Sequence, residues 1–158
     1  MAILAGQRIR ALDFAGYAHV YDFSNVTGLT PPVNGFQTVT PAVGVAFVAP
    51  TSGAVMCEFG GRIRANSGAL RVYAACQLRT GGVINSGVVV EEADSDRALE
   101  GQASSGGIVQ VNGTAVRVHT GLTPGNLYHF VWQVGRGDTG AAVEVYSRLI
   151  TVTPWHGV

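Results

Sequence analysis

The sequence predicts an all-β domain, an antiparallel β-sandwich of the jelly-roll type. Glycine accounts for 22 of the 158 residues and proline for six, and together with abundant valine and threonine this indicates short strands joined by tight turns. Only EEADSDRALEGQ, residues 91–102, fits one or two helical turns. About eight strands without crossover helices favour a jelly roll, with an immunoglobulin-like sandwich as the alternative.

The first 42 residues differ in pattern from the rest. In GYAHVYDFSNVTGLTPPVNG, aromatic residues are scattered among Gly, Pro, Asn and Thr without lasting period-two alternation. We therefore predict an extended N-terminal arm over residues 1–42 that becomes ordered on another surface, and a sandwich domain over residues 43–158. The alternative is that the arm wraps its own domain or supplies an edge strand. Its aromatic residues Phe14, Tyr17, Tyr21 and Phe23 are suitable contact residues.

The domain begins with regular strand patterns. VGVAFVAP (43–50) is followed by the turn signal TSG and by AVMCEFGGRIRA (54–65), where the Gly60–Gly61 pair predicts a bulge or a change of register. In ALRVYAACQLR (69–79), apolar residues alternate with larger polar ones, which is typical of a half-buried antiparallel strand.

Turn signals separate the last strands. Asn112–Gly113 favours a type I′ hairpin, although a bulged continuous strand also fits, and Thr123–Pro124–Gly125 fits a type II turn. The strand LYHFVWQV (127–134) then places its aromatic residues on one face, which we predict to be buried in the domain core or in a trimer interface. The residues of that face are Tyr128, Phe130 and Trp132, and His129 lies on the other face.

Composition narrows the classes of function. The formal net charge is zero and charged residues make up only 13% of the chain, so we expect a surface that partners cover. All ten basic residues are arginine, which fits either codon usage in a GC-rich genome or arginine's suitability for permanent interfaces. Net neutrality argues against nucleic-acid binding. Arginines interrupt MAILAGQRIRALDF where a signal peptide would be apolar, and no run is long enough to span a membrane.

No motif indicates catalysis, a metal or a cofactor. The four histidines lack short ligand spacing, and EEADSD (91–96) lacks the glycine and later glutamate of a calcium loop. The chain has neither a GxSxG elbow nor a phosphate-binding glycine loop, so we predict a protein that is not an enzyme. Cys57 and Cys76 lie in apolar runs, which favours buried free thiols while leaving a disulfide open.

Two parts of the chain resemble virion proteins. The start, MAILAGQRIRALDF, resembles the M-x-x-L-A-G-Q-R-I opening of small structural proteins of tailed phages that infect actinobacteria. The succession FVAPTSGAV, GLTPGNLYHF and a closing TVTP is similar to C1q- and TNF-like jelly rolls of phage surfaces and fibres. The resemblance implies a homotrimeric virion protein without lipid, cofactor or substrate, in which Arg8 and Arg10 join the aromatic residues of the arm in attachment.

The resulting functional prediction is a capsid decoration protein that stabilises the head shell. Its partners are the major capsid protein or other virion proteins, and it is assembled in the host cytoplasm and carried on the capsid surface rather than on the tail. One alternative is a minor tail or fibre protein that binds host glycan through exposed aromatic residues such as Trp155 or Tyr73. A polysaccharide hydrolase is a third hypothesis, which requires paired carboxylates in a cleft.

Overall fold

A computed structural model describes residues 18–65, 71–103, 108–138 and 142–156 of the chain. Four residues of the predicted attachment set, Arg8, Arg10, Phe14 and Tyr17, lie outside this range. The regular secondary structure of the described residues is strand, apart from one 3-10 turn at Ser95–Arg97. The strands are β1 (Ala18–Asp22), β2 (Val26–Leu29), β3 (Gly35–Thr38), β4 (Gly44–Val48), β5 (Val55–Ala65), β6 (Arg71–Thr80), β7 (Val89–Glu91), β8 (Leu99–Gln102), β9 (Val109–His119), β10 (Leu127–Arg136) and β11 (Val143–Pro154).

Two antiparallel sheets form a sandwich. The first sheet has the order β1-β11-β5-β9, with β2 also paired to β11, and the second has the order β4-β10-β6-β7, with β8 also paired to β6. To compare this order with known folds, we leave out the short β2 and β3, count β7 and β8 as one strand and number the remaining eight strands from 1 to 8 in chain order. The first sheet then has the order 1-8-3-6 and the second the order 2-7-4-5. This interlocking order is that of a jelly roll, and it confirms the predicted fold class.

The aromatic face of β10 lies in the core between the two sheets. Tyr128, Phe130 and Trp132 all belong to the buried apolar cluster, and the ring of Phe47 stacks on Tyr128 and Phe130 at centroid distances of 6.1 and 5.4 Å. The indole N–H of Trp132 donates a hydrogen bond of 2.8 Å to the carbonyl of Gly60 in the opposite sheet. This face is therefore used inside the chain and is not available to a second subunit.

The predicted division into an arm over 1–42 and a domain over 43–158 needs correction, because the sandwich already includes Ala18. β1 pairs with β11 from Ala18 opposite Val152 to Asp22 opposite Arg148, and β2 pairs with the same strand. Val39 is fully buried in the core. The short alternation in AHVYD gave too weak a signal beside the surrounding turn residues, and the alternative of an edge strand is what the structure shows for residues 18–22.

The predicted hairpin at Asn112–Gly113 is also corrected. β9 runs unbroken and pairs with β5 along its whole length, with Gly113 opposite Gly61. Close approach of β9 explains the glycine at position 60, since a Cβ there would lie 2.1 Å from the carbonyl oxygen of Gly113. The register shift of this sheet occurs on β11 between Val145 and Ser147 rather than at the glycine pair itself.

Other local predictions hold. Gly125 has a φ of +81°, and the amide of Asn126 donates to the carbonyl of Thr123 at 3.1 Å, which confirms a turn with glycine at its left-handed position. Cys57 and Cys76 are free and buried, as predicted. They lie on β5 and β6, which belong to opposite sheets.

Candidate functional site

The first region of interest is a buried ion pair that fixes β1, which we name the β1 clamp. The side chain of Arg148 is fully buried, and its guanidinium donates to the carboxylate of Asp22, to the hydroxyl of Ser24 at 2.6 Å and to the carbonyl of Pro41 at 2.7 Å. Several hydrogen bonds thus compensate the desolvated cation, as a buried charge requires. The clamp joins the chain on either side of β2 and β3 to the centre of the first sheet.

Asp22 is held in its ionised form by this arrangement. Burial raises the pKa of the carboxyl, but the hydrogen bonds from the hydroxyl and amide of Ser24 and the charge of Arg148 together outweigh that effect. The pKa of Asp22 is therefore lower than its ordinary value. The Ser24 amide and hydroxyl donate at 2.8 and 2.7 Å, so both carboxylate oxygens are used.

Two exposed aromatic residues lie beside the clamp. Tyr21 is 51% exposed and Phe23 is 75% exposed, and their ring centroids are 4.3 Å apart. They are the described members of the predicted attachment set. The structure brings them together on β1 and the turn after it, at the end of the first sheet, directly after the segment that carries Arg8, Arg10, Phe14 and Tyr17 in sequence.

The second region is a cavity of about 520 Å³, which we name the sheet pocket. Its floor includes Gln77 on β6 and Gln133 on β10, which project from the second sheet away from the core. Its walls come from residues 34–36 and 91–95 together with Arg97. Strand alternation places both glutamines on the face that β3 and the acidic loop cover.

A hydrogen-bond network fixes the two glutamines, which are both more than nine-tenths buried. The amide nitrogen of Gln77 donates to Glu92 at 2.5 Å, and its oxygen accepts from Arg79 at 2.6 Å and from Gln133 at 3.2 Å. The amide nitrogen of Gln133 also approaches the hydroxyl of Thr38 at 3.3 Å. The network orients both side chains before any ligand is present.

Glu91 organises the wall of the sheet pocket. Its carboxylate lies 2.6 Å from Arg97, 3.6 Å from Arg117 and 2.6 Å from Nδ1 of His119. Because a carboxylate only accepts hydrogen bonds, Nδ1 of His119 carries the proton. Burial lowers the pKa of His119 more than the contact with Glu91 raises it, so the imidazole is held neutral.

Of the four histidines, His119 and His129 are buried, whereas His19 and His156 are exposed. His129 is fully buried, and its Nδ1 donates to the carbonyl of Gly81 at 2.8 Å. Within the described ranges, no group of three or more His, Cys, Asp or Glu side chains is arranged to hold a metal ion. In the same residues, no helix is both long and apolar enough to cross a membrane.

The two residues suggested for glycan contact differ in their exposure to solvent. Tyr73 is only 5% exposed and packs against Phe36 at a centroid distance of 6.1 Å, so it is not an exposed platform. Trp155 is 39% exposed but does not line the sheet pocket. The sequence does not identify Gln77 and Gln133 as site residues. They lie 56 positions apart, and no local pattern indicates that both line the same pocket.

Strand order and core define this chain as a jelly-roll β-sandwich. No protein-family model matches the chain, and no curated protein matches it. Among solved structures, it is similar to the CBM22-1 xylan-binding domain of Xyn10C from Paenibacillus barcinonensis, with 9% identity, 84% of this chain and 95% of that chain covered, and a TM-score of 0.34.

Two further similarities are weaker. Dimeric latent PorU from Porphyromonas gingivalis shares 12% identity over 86% of this chain and 13% of that chain, with a TM-score of 0.29. A chain of infectious bursal disease virus, Gx strain, shares 9% identity over 89% of this chain and 34% of that chain, with a TM-score of 0.25. This chain thus spans only a small part of both, and at these TM-scores none of the three similarities carries an argument about function.

Proposed function

We propose that this chain is a non-enzymatic structural protein of a tailed-phage virion that decorates the capsid as a homotrimer. The jelly roll projects outward, and the segment before β1 binds the head shell. The observation that carries this proposal is the placement of the exposed Tyr21–Phe23 pair at the end of β1 and in the turn after it, where the β1 clamp fixes the chain to the sandwich. An attachment segment that leads into β1 therefore transmits its position to the whole domain.

The chemistry of that region suits a protein interface. Tyrosine and phenylalanine bury large apolar areas at low entropic cost, which makes them frequent contributors to binding energy. The low charge of the chain agrees with a surface that neighbours cover in a lattice. The likeness of MAILAGQRIRALDF to the opening of phage structural proteins supports the same assignment.

Decoration stabilises a capsid by mass action. A protein that binds across neighbouring capsomers has affinity for the assembled shell and none for separated subunits, so its binding energy adds to the stability of the shell. No catalytic group is needed for this role. The function requires only a rigid domain, an attachment segment and a contact between copies.

The proposed trimer needs a contact surface other than the aromatic face of β10, which is buried within the chain. β9 ends the first sheet, and its Val116 and Val118 are exposed. We place the contact between copies there, because exposed apolar side chains at a sheet edge are suited to association. A Val116→Lys, Val118→Lys double variant should sediment as a monomer, and unchanged trimers would argue against this surface.

Attachment is tested with heads assembled without this protein. A chain that lacks residues 1–16 should no longer co-sediment with the heads, while its thermal unfolding remains that of a folded sandwich. Tyr21→Ser with Phe23→Ser should weaken binding in the full chain, whereas Val83→Ser, at a similarly exposed apolar position in the β6–β7 loop, should not. Full binding by the truncated chain would overturn the proposed attachment.

A second candidate is a minor tail or fibre protein that binds host glycan. The sheet pocket favours it, because a polar cavity on an outer sheet face has no role in attachment to a shell. The test uses a phage whose copy of this chain carries a blocked pocket. If its particles assemble normally but no longer adsorb to host cells, the tail assignment is supported. Unchanged adsorption would speak against it.

A further inference from the structure

We infer that the sheet pocket binds a neutral saccharide. The inference rests on the side chains of the pocket and does not depend on where in the virion the chain lies, so it goes beyond attachment to the head. It also moves glycan recognition from Trp155 and Tyr73 to the sheet pocket, which neither residue lines. The volume of the sheet pocket, about 520 Å³, lies within the range of small-molecule sites.

The polar groups of the pocket match the hydroxyl groups of a sugar. Among the described residues, the side chain of Gln133 forms both of its hydrogen bonds through the amide nitrogen, so its carbonyl oxygen can accept from a ligand. Glu92 accepts from Gln77 with one carboxylate oxygen, which leaves the other for a hydroxyl donor. Sugar hydroxyls donate and accept at once, so fixed amides and carboxylates are suitable partners.

Phe36 supplies an apolar surface next to these groups. It lines the pocket and is half-buried, with its ring held against Tyr73. A sugar ring presents C–H groups on its faces and hydroxyls around its rim. An aromatic ring beside planar polar side chains therefore fits a saccharide better than it fits a wholly polar ion.

The charge of the pocket selects against anionic ligands. Three carboxylates, those of Glu91, Glu92 and Asp94, line it with one guanidinium, that of Arg97. Arg97 is paired with Glu91 at 2.6 Å and with Asp94 at 3.5 Å, so its charge is already compensated. Uronic acids, sialic acids and phosphosugars would meet net negative charge at close range.

The site is organised before binding occurs. The glutamines are buried and hydrogen-bonded, and Glu91 ties the acidic wall to the buried His119. A ligand therefore does not have to order these side chains, which reduces the entropic cost of binding. Asn34 at the rim has a φ of +54°, a left-handed conformation in which glycine is tolerated without strain.

The experiment measures binding of named sugars to the full chain by isothermal titration calorimetry. The probes are di- to tetrasaccharides of glucose, galactose, mannose, arabinose and xylose, with glucuronic acid, N-acetylneuraminic acid and glucosamine as charged comparators. The variants are Glu92→Ala and Asn34→Gly, and the matched control is Asp96→Ala. Asp96 belongs to the same exposed acidic loop but does not line the pocket.

We expect at least one neutral saccharide to bind with a Kd of roughly 10 µM to 1 mM. Glu92→Ala and Asn34→Gly should each weaken binding by about tenfold or more, and Asp96→Ala should leave it within about twofold of the unchanged chain. Thermal unfolding of each variant shows that it is folded.

Three outcomes overturn the inference: no neutral probe binds, both pocket variants retain full affinity, or only an acidic or an amino sugar binds. None of these outcomes bears on attachment, which is measured separately with capsids. Failure of one proposal therefore leaves the other standing.

Discussion

Asp22 in β1 and Arg148 in β11 form an ion pair across neighbouring strands, with the arginine side chain completely buried. The pair lies at the end of the β1–β11 ladder, where the chain leaves β1 for its first turn. It joins the first described strand to a central strand of the first sheet. The edge strand β1 is therefore tied to the core.

Loss of Asp22 should be costly. Asp22→Ala removes the carboxylate that faces the buried guanidinium and leaves Arg148 with only the Ser24 hydroxyl and the Pro41 carbonyl. We expect unfolding free energy to fall by about 3 to 5 kcal/mol, measured by urea denaturation. Glu100→Ala breaks the exposed pair with Arg71 and should cost less than about 1 kcal/mol. Similar costs for the two substitutions would contradict the role assigned to the clamp.

His119 should make stability depend on pH near neutrality. Burial lowers the pKa of His119 in the folded chain below its ordinary value near 6.5, and Nε2 has no hydrogen-bond partner within the described residues. The unfolded chain thus binds more protons, and stability should fall as the pH drops below about 6.5. Urea denaturation at a series of pH values checks this, and His119→Gln should flatten the dependence between pH 7 and pH 5.

A second loss should follow at lower pH. Since the folded pKa of Asp22 is lower than its ordinary value, its contribution is complete above about pH 4 and is lost as the pH falls further. The two windows are separable by variant. Asp22→Asn should reduce the loss of unfolding free energy below about pH 4 without changing the loss that begins near about pH 6.5. If the loss below about pH 4 is unchanged in this variant, Asp22 is not its source.

Gly60 and Gly113 should respond differently to the same substitution. A Cβ at Gly60 would lie 2.1 Å from a backbone oxygen of β9, whereas a Cβ at Gly113 meets nothing closer than Leu99 at 3.8 Å. Gly60→Ala should therefore cost more than about 3 kcal/mol or prevent folding, and Gly113→Ala should cost less than about 1 kcal/mol. Thermal unfolding of the two variants tests this expectation. Equal effects would show that the backbones of β5 and β9 do not approach each other closely at Gly60.

The two thiols should be unreactive while the chain is folded. Burial raises the pKa of Cys76 well above its usual value, and the neighbouring Cys57 raises it further, so little thiolate forms at neutral pH. Ellman's reagent should react with neither thiol in the native chain and with both in urea. Rapid reaction of the native chain would contradict the burial of the pair.

Part of this structure is readable from the sequence. Alternation along β6 and β10 identifies their core faces, and Thr123–Pro124–Gly125 identifies a turn, because each signal is local. The Asn112–Gly113 pair misled because tertiary pairing with β5 overrides a local turn preference. The sequence offered β1 only as the alternative of an edge strand, because a five-residue strand contributes few alternating positions.

The candidate site was less predictable than the fold. Gln77 and Gln133 meet only because β6 and β10 are neighbours in the second sheet, a relation that depends on topology. Arginine is rarely fully buried, and the burial of Arg148 depends on partners more than 100 residues away in the chain. Both the β1 clamp and the sheet pocket thus depend on pairing between distant parts of the chain, which leaves no local pattern in the sequence.

The proposed capsid decoration places this chain on the head of the particle. Gold-labelled antibody against the chain, applied to purified phage particles and viewed by electron microscopy, tests it most directly. We expect label spread over the capsid faces, and no label on heads treated with the chain that lacks residues 1–16. Label confined to the tail tip, or absent from the particle, would contradict capsid decoration.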